Sequence, residues 1–526
     1  MAELFCSGRH RGAAFTCAAL SGALLALSFP SLGHPAAAWV ALIPLLVILH
    51  ATRSLRLAFG LGLTTGAVHF AGTLPWLTQV MIEFGGFAQP VGVLLNGLLV
   101  AYLALFPAAF AVMMVVLQRA RWGTWWLLSA APIWLTTDLG RMWLFGGFPW
   151  ELLGYSQTSV LPVSQLASLF GVHGVTLFVV FINSALALAL VGPRAHRVRV
   201  LALASGVFGM VVLFGVWRLE DNRLVRDGTP LRVGLVQGNI AQAEKWDPAM
   251  RSTILRRYLA LSRQSAADGA RLIAWPESAT PFSFEVHPDG DAIRQLARDT
   301  GAHLLFGSTQ SRRDPLPRVF NAAFVLRPDG ETAAVYRKMH LVPFGEYVPF
   351  RALLFFAKPL VETVTDFTPG TSPVTLAIGS HRVSTAICYE IIYPGLVRSF
   401  VRNGSELLTT ITNDAWYGRS AAPHQHFQQA AMRAIEQGRY LARAANTGIS
   451  GIVDPYGRVL ARSALFETAV ITEEVRLLRG LTFYGRIGDL LAYLCGVMTV
   501  VAVGAAWRRS RGRVGSRPHG TIGSVS

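Results

Sequence analysis

The sequence predicts a multi-pass helical membrane domain, then an α/β domain, then one last span. Three observations carry this. The 526 residues are 52% hydrophobic and only 15% charged, well below the charge of a typical soluble chain. Eight apolar segments recur, at 13–29, 37–50, 57–80, 90–117, 123–139, 163–191, 198–217 and 487–507, most near the length of about 20 residues that a crossing helix needs. Before the last of them lies a long polar interval, where short β-like runs alternate with amphipathic stretches. That alternation argues helices covering a sheet.

The first segment follows Arg9 and Arg11 and resembles a signal peptide, with Ala36-Ala37-Ala38 as a small-residue cleavage site. The spans that follow favour a retained membrane helix. The segment at 37–50 is short for a crossing. In the third, Gly62 and Gly66 have the small-xxx-small spacing of close helix packing. Arginine clusters at Arg53 and Arg56, Arg119 and Arg121, and Arg194, Arg197 and Arg199 alternate with loops that hold almost none, Arg141 excepted. By the positive-inside rule both termini are cytoplasmic, and the interval before the last span lies outside. The net charge of +17 therefore reads as topology, not as nucleic-acid binding. The expected divisions are 1–228 for seven spans, 229–475 for the α/β domain, and 476–508 for a connector and eighth span. The basic tail 509–526 is expected to be disordered.

Within the α/β interval, strands are expected at 231–237, 271–275, 303–308, 319–326, 332–336, 382–388, 407–412, 448–453, 459–461 and 469–473. Helices are expected at 250–267, 291–300, 395–403 and 427–445. Of four cysteines, only Cys388 lies in this polar region, and no Cys/His spacing supports a disulfide framework or structural zinc. Cys388 ends a β-branched run, Glu277 follows a strand closed by Pro276, and Lys338 follows another strand. Groups at strand ends of α/β sheets converge on one cleft. There a carboxylate can take the thiol proton, and a lysine can hold the thiolate and the oxyanion. Each residue alone is ordinarily a surface group or a small core residue.

The local sequences add to this. Trp275-Pro276-Glu277, Arg337-Lys338 with Leu341-Val342-Pro343-Phe344-Gly345-Glu346, and Ile387-Cys388-Tyr389-Glu390 resemble the nitrilase superfamily, whose triad runs Glu, Lys, Cys. The resemblance implies an αββα sandwich. Placed before the last of eight spans, with Phe148-Pro149-Trp150-Glu151 and Thr412-Asn413-Asp414-Ala415-Trp416-Tyr417-Gly418, the chain resembles the apolipoprotein N-acyltransferase family over nearly its full length. That implies a bacterial inner-membrane enzyme with a periplasmic catalytic domain and no cofactor. Cys388 would take an acyl chain from a membrane phospholipid as a thioester, Glu277 acting as base and Lys338 on the oxyanion. It would pass the chain to the α-amino group of an apolipoprotein's N-terminal diacylglyceryl-cysteine. Glu346, Tyr389 and Glu390 would support the triad, Trp246 would contact substrate, and Trp416 would line the site.

The apolar run 350–360, edged by Arg351 and Lys358, reads as a lid or acyl-chain entry arm, or equally as an ordinary buried helix. His424 and His426 form an HxH too small for a metal site. Gly448-Ile449-Ser450-Gly451 falls one residue short of a serine elbow. His69, Asn96, Asp138 and Asp489 suggest a transporter only weakly. The alternatives carried are a membrane-tethered nitrilase-type amidase and a non-catalytic transporter or scaffold.

Overall fold

The computed structural model describes residues 11–30, 33–120, 123–313, 317–347 and 366–512. The run 350–360 and the residues 513–526 of the tail lie outside the described residues.

The N-terminal half is helical: α1 (Arg11–Ala26), α2 (Ile43–Ala51), α3 (Leu55–Thr73), α4 (Trp76–Glu83), α5 (Gln89–Arg119), α6 (Ala130–Trp143), α7 (Ala167–Val191) and α8 (Arg194–Asp221). Among the described residues four helices are long and apolar enough to cross a membrane: α5, α7, α8 and one that follows the strands. A fifth is the pair α3 and α4, bent by 57° at the break around Leu74 and Pro75. The sequence count of eight exceeds this because other apolar segments form shorter pieces. The segment at 37–50 divides into a 3-10 turn at Pro35–Trp39 and the nine-residue α2. The segment at 123–139 divides into the turn Thr124–Ser129 and the 14-residue α6. Gly62 and Gly66 seat α3 against α5: a Cβ on Gly66 would lie 2.6 Å from Ala104 Cα, and one on Gly62 would strike Pro107 O.

Among the described residues twelve strands follow: β1 (Thr229–Gln237), β2 (Leu272–Ala274), β3 (His303–Arg312), β4 (Arg318–Leu326), β5 (Thr332–Arg337), β6 (Leu376–Ile378), β7 (His381–Ile387), β8 (Leu407–Thr412), β9 (Leu441–Ala445), β10 (Gly451–Val453), β11 (Val459–Arg462) and β12 (Ala469–Leu477). They form two six-stranded sheets, ordered β12-β1-β2-β3-β4-β5 and β11-β10-β9-β8-β7-β6. Each has a parallel centre, β1 to β3 in one and β7 to β9 in the other, flanked by antiparallel strands. Alternation along the strands makes the layers. Val233, Leu235 and Leu305 share one core cluster with Val383 and Leu407 of the other sheet. Their neighbours Val236, Leu304 and Phe306 face a second core with α9 (Arg251–Ala267) and α10 (Gly290–Thr300). The outer face of the second sheet is covered by α11 (Pro394–Arg402) and α12 (Ala422–Gln437), through Phe400 and Ala431 among others. The result is a sandwich of helix, sheet, sheet, helix. The chain closes with α13 (Leu490–Gly512), the fourth long apolar helix.

One expectation is corrected here, and one strand went unread. The stretch 427–445, read as one helix, is α12 ending at Gln437, a left-handed Gly438 (φ +60°), and strand β9. The alanine-rich Leu441-Ala442-Arg443-Ala444-Ala445 suits a helix, but parallel pairing with β8 overrides that preference. β6 was also missed, because three residues carry too little periodicity to read.

α12 also joins the two halves. Ala430, Ala431 and Ala434 belong to the sandwich core, whereas Met432 and Ile435 belong to the core of the membrane helices. Gln425 Oε1 accepts from Trp76 Nε1 (3.2 Å) and Trp150 Nε1 (2.8 Å), and its amide nitrogen donates to Thr73 O (3.1 Å).

Candidate active site

Glu277, Lys338 and Cys388 follow β2, β5 and β7 within a few residues, and all three are buried. Glu277 is held tightly against the neighbouring strand. Gly307 N–H donates to Pro276 O (3.1 Å) and Ala279 N–H to Gly307 O (2.9 Å). Only glycine fits at 307, since a Cβ there would lie 2.5 Å from Ser278 N and 2.7 Å from Glu277 Cα.

Lys338 Nζ sits between two carboxylates, 3.2 Å from Glu277 Oε1 and 2.9 Å from Glu346 Oε1. Asn321, pointing inward from β4, donates its amide nitrogen to the same two oxygens at 2.7 Å each. Glu277 Oε2 accepts from Asn413 N–H (3.1 Å), and Glu346 Oε2 from Val342 N–H (2.8 Å). Burial pushes the Glu277 carboxyl up. The Lys338 ammonium, the Asn321 hydrogen bond and the Lys245 ammonium outweigh that, so its pKa lies below the ordinary value. Burial pulls Lys338 down, but Glu277 and Glu346 lift it well above the usual lysine range. This pair is therefore a carboxylate and an ammonium at neutral pH.

Cys388 has φ +53° and opens the short turn Cys388–Ile392 beyond the strand. A non-glycine residue rarely adopts this conformation, and such strain concentrates at functional sites. Burial, then the Glu277 charge, push its thiol up to about 12, with Lys338 opposing. The resting side chain is a thiol, and the nearby carboxylate is the group able to take its proton.

A second layer holds the turn. Glu390 Oε1 accepts from Met339 N–H (2.6 Å), Tyr336 Oη–H (2.8 Å) and His340 N–H (3.1 Å), and Oε2 accepts from Ile387 N–H (2.8 Å). Burial raises its pKa to about 7 despite these donors. Behind the turn, His426 Nε2 lies 3.1 Å from Cys388 O, and its Nδ1 lies 3.0 Å from Arg443 and 3.2 Å from Asp414. Burial and the Arg443 charge lower the His426 pKa. The geometry suits a neutral ring that donates from Nε2 to Cys388 O and accepts from Arg443.

Of the other residues named from sequence, the structure gathers Glu346 and Glu390 onto this site. Tyr389 is buried beside Tyr393, with ring centroids 5.3 Å apart. Trp246 is 49% exposed, and Trp416 is 37% exposed with its ring 4.8 Å from Phe84 of the helical half. Ser450 is buried, bonded to Gln237 and Ala445 N–H, and takes a structural part. Among the described residues no group of three or more His, Cys, Asp or Glu side chains is placed to hold a metal. Sequence reasoning missed Asn321, Lys245, and the Asp414–Arg443–His426 network. For Asn321 the available signal was a lone asparagine in the apolar run Val319-Phe320-Asn321-Ala322-Ala323.

The paired sheets, with this thiol, carboxylate and ammonium at their strand ends, define a carbon–nitrogen hydrolase domain, and that family's model matches residues 232–479. The apolipoprotein N-acyltransferase N-terminal domain model matches residues 21–185. The apolipoprotein N-acyltransferase of Geobacter metallireducens is 40% identical over 500 residues, covering 94% of this chain and 95% of its own. That of Shewanella oneidensis is 35% identical over 467 residues, covering 85% and 86%. A solved amidase from Nesterenkonia sp. matches 51% of this chain and 97% of its own, at 22% identity and a TM-score of 0.38. The chain belongs to the apolipoprotein N-acyltransferase family.

Proposed function

We propose that this protein moves an acyl chain from a membrane phospholipid, through a thioester on Cys388, to the α-amino group of the N-terminal diacylglyceryl-cysteine of apolipoproteins. The observation that carries this is the buried array in which Lys338 Nζ is 3.2 Å from Glu277 Oε1, with the Cys388 thiol in the electrostatic field of both. In the first half-reaction Glu277 takes the Cys388 proton as sulfur attacks the ester carbonyl. Lys338 and main-chain N–H groups stabilise the oxyanion. Collapse expels the lysophospholipid alkoxide, which takes the proton from Glu277. In the second, the acceptor amine attacks the thioester, its proton passes to Glu277, and the thiol reforms. Ester and amine become amide and alcohol with no cofactor. A thiol that ionises only as it attacks is guarded against side reactions in an oxidising compartment.

The same reading takes all eight apolar segments as membrane-embedded, with both termini cytoplasmic and residues 229–475 periplasmic in the bacterial inner membrane. Residues 1–228 and 476–508 supply the membrane part, and 509–526 a cytoplasmic tail. The positive-inside arginines support this orientation. Trp76 and Trp150, bonded to the same Gln425, support delivery of a lipid substrate by putting membrane-domain aromatics against the helix that backs Cys388.

Intact-protein mass spectrometry after incubation with phospholipid tests the proposal. Wild type gains one acyl mass, Cys388→Ser gains none, and a diacylglyceryl-peptide amine discharges the adduct. An unmodified wild type that releases ammonia from simple amides would identify an amidase instead.

A further inference from the structure

Lys245 is a second buried cation beside the reacting groups, and nothing in the proposed chemistry yet uses it. It ends the short turn Gln242–Lys245 after β1 and is 2% exposed, whereas its neighbours Glu244, Trp246 and Asp247 face solvent. Its Nζ donates to the main-chain oxygen of Glu277 at 3.0 Å, not to the carboxylate. The carboxylate is already engaged by Asn321, Lys338 and the Asn413 N–H. Lys245 is thus aimed at the backbone that carries the base, and its charge acts on Glu277 and Cys388.

A lysine is costly to bury, and a purely structural link to one carbonyl needs no charge. The titratable groups around it are Glu277 on the β2 loop and the Cys388 thiol on the β7 turn, with Lys338 and Glu346 beyond Glu277. Lys245 and Lys338 both lie against Glu277, the one at its main-chain oxygen and the other at its carboxylate, while Cys388 is a thiol. Negative charge on sulfur or on the oxyanion is then opposed by two cations rather than one.

We propose that Lys245 is a positioning residue of the reaction: it fixes Glu277 through the main chain, and its positive charge stabilises the negative charge that develops at Cys388 during acyl transfer. This rests on the reading of Cys388 and Glu277 given above. Burial, with Glu277 and Cys388 opposing it, brings the Lys245 pKa down to about 8. The supporting charge is present below that pH and lost above it.

The test uses the full-length protein in phospholipid vesicles and follows formation of the acyl adduct against pH for wild type, Lys245→Arg and Lys245→Met, with Cys388→Ser as control. Wild type shows an alkaline inflection near pH 8. Lys245→Met is slower by roughly tenfold or more at pH 7 and lacks the inflection. Lys245→Arg keeps most of the rate and has no inflection below pH 9. A Lys245→Met protein with the wild-type rate and pH profile overturns the inference, as does a Lys245→Arg protein as slow as Lys245→Met at equal thermal stability. An adduct on Cys388→Ser would instead sink the reading on which the inference rests.

Discussion

Glu390 accepts a 2.6 Å hydrogen bond from the N–H of Met339, so the residue two places after Cys388 grips the residue next to Lys338. The same carboxyl also holds Ile387 N–H, the last link of the strand that delivers the thiol. One side chain thereby sets the distance between two strand ends that are 50 residues apart in sequence.

Replacing it should uncouple them. Glu390→Ala leaves four buried donors without their acceptor, which costs about 3 kcal/mol or more of stability. Glu390→Gln keeps the shape but sets an amide N–H₂ against those donors. Acyl-adduct formation should fall about 100-fold or more in both, with thermal unfolding separating the two causes. A Glu390→Gln protein of normal rate would show that the carboxylate is dispensable.

The Cys388 thiol offers a sign test of the site's electrostatics. Burial and the Glu277 charge raise its pKa to about 12, and Lys338 opposes them. Removing the negative neighbour in Glu277→Gln should move the titration to lower pH, by about one unit. Lys338→Met should move it further up. The measurement is the pH dependence of iodoacetamide alkylation, read on the Cys388 peptide. Glu277→Gln should show this easier ionisation together with loss of acyl transfer, because the proton then has no acceptor. A Glu277→Gln thiol that titrates higher than wild type would refute the assignment.

Gly307 is a steric test that removes no chemical group. A Cβ there meets Ser278 N at 2.5 Å and Glu277 Cα at 2.7 Å, both main chain and unable to swing away. Gly307→Ala should displace Glu277 from Lys338 and cut adduct formation by about 100-fold, since misplacement by about 1 Å can cost that much. Unchanged kinetics would mean that the close approach does not position the base.

Acid sensitivity should trace in part to Asp414. Burial pushes its carboxyl up, but Arg443 at 2.8 Å and the Thr412 hydroxyl, which donates to it at 2.8 Å, hold it well below the usual range. A depressed carboxylate pKa stabilises the fold above the unfolded-state value of about 3.9 and loses that stabilisation as pH falls below it. Asp414→Asn should therefore unfold with a shallower acid dependence and be less stable at pH 7 by about 3 kcal/mol, Arg443 being left as an uncompensated buried cation. Melting curves from pH 3 to 8 compare the two, and parallel curves would exclude Asp414 as a source of the acid limb.

Much of this protein was legible without coordinates. Apolar length and the polar interval separated helical from α/β parts because hydrophobic patterning is local. Glu277, Lys338 and Cys388 were placed at the ends of short apolar strands, where chemistry-bearing groups collect, and the motifs that resemble the nitrilase superfamily singled them out. Glu346 and Glu390 came with their motifs.

What the tertiary structure decided is which polar residues meet. Lys245 and Glu277 are 32 residues apart, Asn413 and Glu277 136, and Trp150 and Gln425 275. A lysine before an exposed tryptophan or a glutamine on a helix looks like surface until the partner that buries it is known. The same holds for backbone. Leu441–Ala445 has helical composition and becomes a strand because β8 offers a parallel edge. Local chemistry and the shared motifs thus named the candidate groups. Long-range pairing, through buried hydrogen bonds costly to leave unmade, decided how they are held.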